Sequence, residues 1–214
     1  MTTLITGANR GIGLGLHRAY AARGEEVIGT ARRPAAGLVA CDMADPAIIA
    51  ALPAALGGRP LDLLVCNAGV YLDKGHRIGA GYGPELWAET FAVNVTGVFL
   101  TVEALLPALR AGGGRIAIIS SQMASHTRAP GGSYIYRASK AAALNLGRNL
   151  ATDLKPEGIA VGIYHPGWVR TDMGGAEADI DLDTCVAGLM DRFDALDIDA
   201  TGCFLSYDGS PMPY

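Results

Sequence analysis

Short runs of apolar residues alternate along this chain with longer stretches in which apolar positions recur at helical period. The short runs predict seven strands, at residues 2–6 (TTLIT), 26–31 (EVIGTA), 38–41 (LVAC), 61–67 (LDLLVCN), 115–121 (RIAIISS), 160–166 (AVGIYHP) and 203–207 (CFLSY). Helices are expected at 12–23, 46–56, 84–110, 136–154 and 183–194. Asp45 ahead of Pro46 gives the second of these a capping carboxylate and a proline at its first position. Several strands are apolar on both faces, as strands covered on both sides must be, so the expected fold is α/β with a doubly wound parallel sheet. The connection at 31–37 (ARRPAAG) is shorter than the roughly ten to twelve residues of a complete crossover, so its helix should be missing or reduced to a turn.

At 214 residues the chain fits one domain spanning 1–214, with no internal repeat and no linker composition to divide it. A net charge of −4 with mixed signs gives no reason to expect a nucleic-acid partner. No apolar run approaches the roughly 18 residues of a membrane span, and the first 20 residues do not read as a secretory signal. Cys41, Cys66, Cys185 and Cys203 stand singly in apolar stretches, without metal-ligand spacing, as buried thiols in a reducing compartment would. The 29 glycines, more than is usual and without a collagen period, are the unusual feature and call for backbone turns at particular places.

The first strand runs into Gly7, Ala8, Asn9, Arg10, Gly11, Ile12 and Gly13, where a helical pattern opens. Glycines there let backbone N–H groups approach a pyrophosphate at a helix N-terminus, where the dipole favours negative charge. The position, after the first strand of an alternating chain, is that of a dinucleotide-binding Rossmann-type turn. The spacing is GxxxGxG, and TGxxxGIG resembles the turn of the short-chain dehydrogenase/reductase family. Asn67-Ala68-Gly69 resembles that family's NAG turn, Asn94 in NVTG its helix-borne asparagine, Ser120-Ser121 its strand-end serine, Tyr136 to Lys140 its YxxxK, and Pro166-Gly167 its PG turn. Six motifs in the family's order cover nearly the whole chain. The wording GGSYIYRASKAAALN and HPGWVRTDMGG is similar to the carbonyl-reductase-like branch that includes C-factor and sniffer. The resemblance implies a cytoplasmic NADP(H)-dependent oxidoreductase acting on a small carbonyl or alcohol, commonly a homodimer.

Charge bears on which nucleotide is held. An NAD-selective site places an acid at the end of the second strand to hold the ribose hydroxyls. Here Ala31 stands there, followed by Arg32 and Arg33, and Arg32 with Arg10 can clamp a 2′-phosphate. NADP(H) is therefore expected, with NAD(H) the alternative, although adjacent arginines also suit a solvated turn. Asp42 resembles the family's adenine-side aspartate and equally suits a turn.

Tyrosine is a poor proton shuttle near neutrality, with an unperturbed pKa of about 10. Tyr136 and Lys140, spaced i, i+4, share a helix face, and the ammonium favours the tyrosinate. Tyr134 is six residues before the lysine and should point elsewhere. By resemblance Lys140 also donates to the nicotinamide ribose, and Ser121 donates to the substrate oxygen. The stretch between Ser121 and Tyr136 is long for the family, so Ser125 and Ser133 stay in contention. Asn94 has two readings, the holder of a proton-relay water by resemblance, or a buried amide satisfying backbone. Pro166, Gly167 and Thr171 resemble the turn around the nicotinamide, with Val169 placed where a backbone N–H meets the carboxamide.

Substrate choice is expected to lie in the loops at 70–83, 122–135 and 168–182, with Tyr71, His76, Met123, His126 and Trp168 as rim candidates. His17 and His165 suit structural roles. The short crossover and the region after 173 lead to the expectation of a complete catalytic floor under an open roof. Two rivals remain: a catalytically weak or silent dinucleotide-binding regulatory module, and a nucleotide-sugar epimerase or dehydratase, which needs a larger C-terminal substrate domain than this chain offers. The apolar helices 84–110 and 136–154 suit a dimer interface.

Overall fold

Leu4 and Ile5 are neighbours on the first strand, yet they enter two different cores on opposite sides of one sheet. The structure, a computed structural model, describes residues 1–35 and 37–214. Its strands are β1 (Thr2–Ile5), β2 (Glu26–Ala31), β3 (Val39–Ala40), β4 (Leu63–Cys66), β5 (Arg115–Ile119), β6 (Ala160–His165) and β7 (Phe204–Ser206). They form one seven-stranded sheet in the order β3-β2-β1-β4-β5-β6-β7, with every pairing parallel. This is the doubly wound arrangement the strand pattern predicts.

Alternation on the strands explains the two cores. Leu64, Cys66, Ile116 and Ile118 face one side with Val98, Val102, Leu105 and Leu109 of α5 (Gly97–Gly112). Leu63, Val65, Ala117 and Ile119 face the other, against Leu16 and Tyr20 of α1 (Gly11–Ala22) and Val186, Leu189 and Phe193 of α7 (Leu182–Asp194). Gly15 and Val186 mark the close approach of α1 and α7, since a Cβ at Gly15 would stand 2.6 Å from the valine Cγ2.

Several predicted bounds shift. The helix expected over 46–56 is two short ones, α2 (Pro46–Ala50) and α3 (Pro53–Leu56), because Pro53 cannot continue the first. Asp45 does cap α2, accepting from the amides of Ala47 (2.9 Å) and Ile48 (3.3 Å). The helix over 84–110 is α4 (Pro84–Phe91) and α5, joined by a π-turn at Ala92–Thr96. The helix at 136–154 opens two residues earlier, as α6 (Tyr134–Leu154). The crossover from β2 to β3 holds no helix among its described residues, and Ala36 lies outside them.

The expectation that no segment reaches membrane-spanning length is corrected. Pro84–Gly112 is long and apolar enough by that measure. Its apolar side, however, is spent on the core just described, as a helix packed against a parallel sheet requires.

Candidate active site

The strands' C-terminal ends open into a cleft of about 490 Å³, set where strand order reverses between β1 and β4. The glycine turn after β1 forms its floor at one end. Gly7 has φ +69°, and a Cβ there would stand 2.9 Å from Ala68 Cα, so glycine lets the β1 and β4 loops close on each other. Asn67 locks that closure. Its side-chain amide donates to the carbonyl oxygens of Thr6 (2.9 Å) and Gly7 (3.2 Å), while Thr6 Oγ1 accepts from the amides of Asn67 and Ala68 (3.0 Å each).

Helix α1 then starts at Gly11 with no side-chain cap and no acidic residue in its first turn. Its leading amides and dipole are left facing the cleft, and an anion suits them. Gly7, Asn9, Arg10, Gly11, Ile12 and Gly13 all line this end. Arg32 and Arg33 project at the end of β2, both exposed, and both line the cleft. Asp42 lines it as well, while its carboxylate accepts from the Ala44 amide at 3.0 Å, so it also forms a turn. A phosphorylated dinucleotide fits this donor set: uncapped helix amides, glycines pressed against the neighbouring loop, and guanidinium groups in place of an acid.

At the other end Tyr136 and Lys140 reach the cleft from α6, and Asn67, Ala68, Gly69, Pro166 and Thr171 line it between. Tyr136 and Lys140 are more than nine-tenths buried. Lys140 Nζ donates to the Ile119 carbonyl at 2.9 Å and lies 5.7 Å from the centre of the Tyr136 ring. Burial pushes the lysine down to about 8 and the tyrosine up to about 12, with a hydrogen bond to Ser121 pulling the other way. Burial is the largest influence on the phenol, which keeps its proton near neutrality.

Among the serines, Ser121 stands near enough to Tyr136 to draw its pKa down against burial, and its hydroxyl accepts from the Met123 amide at 3.1 Å. Ser120 lines the cleft, where Ser121 does not, but its hydroxyl is spent on the Lys140 carbonyl (3.0 Å); Ser125 is held by Thr127 and Ser133 by Tyr71. Tyr134 is 40 % exposed and packs edge-on against Tyr82.

Asn94 does not line the cleft. It sits beneath it in the π-turn, 1 % exposed, with Oδ1 accepting from the Val70 amide (2.8 Å) and Nδ2 donating to the Val70 carbonyl (2.9 Å) and Ser139 Oγ (3.0 Å). The side chain is therefore committed to protein partners. Gly167 (φ +86°) and Val169 lie behind the lining, the latter buried and bridged to Ile180.

The segment after Thr171 is tied to both walls of the cleft mouth through exposed side chains. Arg10 pairs with Asp172 at 3.1 Å, and Lys74 Nζ donates to the Met173 carbonyl at 2.9 Å. Asp172, Met173 and Val70 also line the cleft, from the loops at 168–182 and 70–83. Among the histidines, His165 is buried with Nδ1 unpartnered, and burial lowers it to about 4.

A sequence profile for short chain dehydrogenases matches residues 1–180. C-signal of Myxococcus xanthus is 38% identical over 160 residues, covering 72% of this chain and 93% of its own. Among solved structures, NADPH-bound carbonyl reductase from chicken fatty liver superposes with a TM-score of 0.90 at 30% identity, covering 100% of this chain and 98% of that one. Carbonyl reductase Sniffer of D. melanogaster does so with 0.92 at 29% identity, covering 100% and 99%.

Proposed function

The chain belongs to the short chain dehydrogenase family of oxidoreductases, and on that premise we propose that it reduces a small carbonyl substrate with NADP(H), Tyr136 acting as proton donor. The observation that carries this reading is the pair of Tyr136 and Lys140 buried at one end of a cleft, with Ser121, itself buried, beside the tyrosine behind the lining. The other end offers an uncapped helix terminus and two arginines.

A bound nicotinamide would supply the hydride. The residues of the chain account for the rest. Arg32, with Arg10, suits a 2′-phosphate, and the amides from Gly11 to Gly13 suit a pyrophosphate. Ser121 donates a hydrogen bond to the carbonyl oxygen as negative charge builds there. Tyr136, kept protonated by its burial, hands its proton to that oxygen. Lys140 supplies the nearby positive charge and a donor for ribose hydroxyls. Asn94 holds the Val70 peptide; a relay water for Lys140 would be held by backbone in the π-turn.

The chain works as a single domain, and four unpaired cysteines, three of them buried, suit a reducing cytoplasm. A homodimer through α4, α5 and α6 would cover the exposed Trp87 and Phe99.

The test is NADPH oxidation across aldehydes, ketones, quinones and diketones, with Tyr136→Phe beside the wild type. The variant should lose at least about a hundredfold in kcat while its NADPH affinity stays within about twofold. Retained turnover in the variant refutes the assignment. The likeness to a protein named C-signal supports a second reading, a dinucleotide-binding module whose occupancy governs association with a partner. Micromolar NADPH binding with no turnover on any carbonyl would select it.

A further inference from the structure

We propose that Asp73 is a positioning residue for Tyr136, fixing the first turn of α6 from outside the helix; this rests on Tyr136 being the proton donor. Asp73 is fully buried, with a relative exposure of 0 %, and forms no ion pair among the described residues. Its carboxylate oxygens instead accept from the backbone amides of Ile135 (2.9 Å) and Tyr136 (3.3 Å). An isolated carboxylate resists burial unless hydrogen bonds and opposite charge offset the loss of water. Here the leading amides and the positive end of the α6 dipole do so.

Helix α6 has no cap of its own. Its flanking residue Ser133 makes no side-chain capping bond, and no acidic residue lies in its first turn. Ser133 is also the single non-glycine residue at positive φ (+50°) among the described residues. Ile135 and Tyr136 are the second and third residues of the helix, the two whose amides a local capping side chain ordinarily serves. Asp73, from the loop after β4, takes that place.

The same loop grips Tyr136 a second time. Tyr71 stacks on its ring with centroids 4.2 Å apart and planes 20° apart, and the Tyr71 hydroxyl bonds Ser133 Oγ. Val70, one residue earlier, is held at both N–H and C=O by Asn94. Residues 70–73 thus run as a strap from the π-turn to the start of α6. Lys140, one turn further on, is anchored separately by the Ile119 carbonyl. Loss of the Asp73 cap would therefore loosen the proton donor while leaving the lysine and the phosphate turn in place. A proton donor displaced by about 1 Å costs on the order of a hundredfold in rate.

The experiment compares Asp73→Ala and Asp73→Asn in the full chain. It measures kcat and KM on whichever carbonyl the wild type reduces, NADPH affinity, thermal midpoint, and hydrogen exchange at the Ile135 and Tyr136 amides. In Asp73→Ala, kcat should fall by about ten- to a hundredfold with NADPH affinity within about twofold, and both amides should exchange faster. Asp73→Asn keeps the side-chain volume and one acceptor oxygen, so it should recover part of kcat and part of the protection; if the alanine variant fails to fold, it carries the test alone. A folded variant with kcat within twofold of wild type overturns the proposal, as does a parallel fall of kcat, NADPH affinity and thermal midpoint. A wild type that reduces no carbonyl overturns the reductase reading, and this role with it. Full activity in both wild type and Asp73→Ala overturns the positioning role alone.

Discussion

The ammonium nitrogen of Lys140 lies 5.7 Å from the centre of the Tyr136 ring, and both side chains are almost wholly removed from water. Burial acts on them in opposite directions. It lowers the lysine to about 8 and raises the phenol to about 12. The ammonium is present below about pH 8 and lost above it, while Tyr136 keeps its proton throughout. For carbonyl reduction, kcat/KM should hold level near neutrality and fall by up to about tenfold per pH unit above that point. A pH–rate profile checks this, and a level profile to pH 10 would count against it.

Gly13 and Asn67 meet at the glycine turn after β1. A Cβ on Gly13 would collide with the Gly7 carbonyl oxygen and stand 2.5 Å from the Asn67 amide nitrogen. The obstacle is backbone, so no rotamer change relieves it. Gly13→Ala is expected to weaken NADPH binding more than about tenfold. Asn67→Ala leaves the Thr6 and Gly7 carbonyls without their donor and should cost about 1–3 kcal/mol of stability. Fluorescence titration of NADPH and urea unfolding measure the two effects.

Arg32 stands at the end of β2, where an NAD-selective site has an acid. Arg32→Glu reverses the local charge and should raise the KM for NADPH by about ten- to a hundredfold, given the strength of charge-assisted hydrogen bonds, while NADH is used as well as before or better. Steady-state kinetics with both cofactors decide it. An unchanged preference would assign the selectivity to other groups.

Trp87 and Phe99, on α4 and α5, are each 37 % exposed. If they meet a second copy, Trp87→Glu combined with Phe99→Glu should shift light scattering from dimer to monomer at micromolar concentration. The thermal midpoint of the isolated subunit should change little, because neither residue belongs to the core.

The sheet and the candidate site residues were legible in the sequence because each rests on a local signal. Strand apolarity, the glycine turn and the i, i+4 spacing of Tyr136 and Lys140 survive without tertiary information. What escaped depends on contacts between distant segments. Asp73 reads as an unremarkable loop acid, and only folding sets it beneath amides 62 and 63 residues later. Asp172 and Met173 are drawn over the cleft by Arg10 and Lys74, residues with no sequence relation to them. Asn94 was visible as an odd amide inside a helical stretch. Its surroundings were not, because helical periodicity assumes an uninterrupted α-helix and a π-turn breaks that assumption.

That turn has a further implication. A π-turn holds one residue more than the α-helical turn it replaces, and the excess at Ala92–Thr96 swings Asn94 beneath Val70. Deleting one residue there would let Pro84–Gly112 run as a regular helix, with better hydrogen-bond geometry and a straighter axis. The same deletion would rotate everything on one side of the break by about 100° relative to the other and withdraw the amide that holds the strap. In this stretch of chain the best helix and the best site are different sequences, and the helix is the one that gives way.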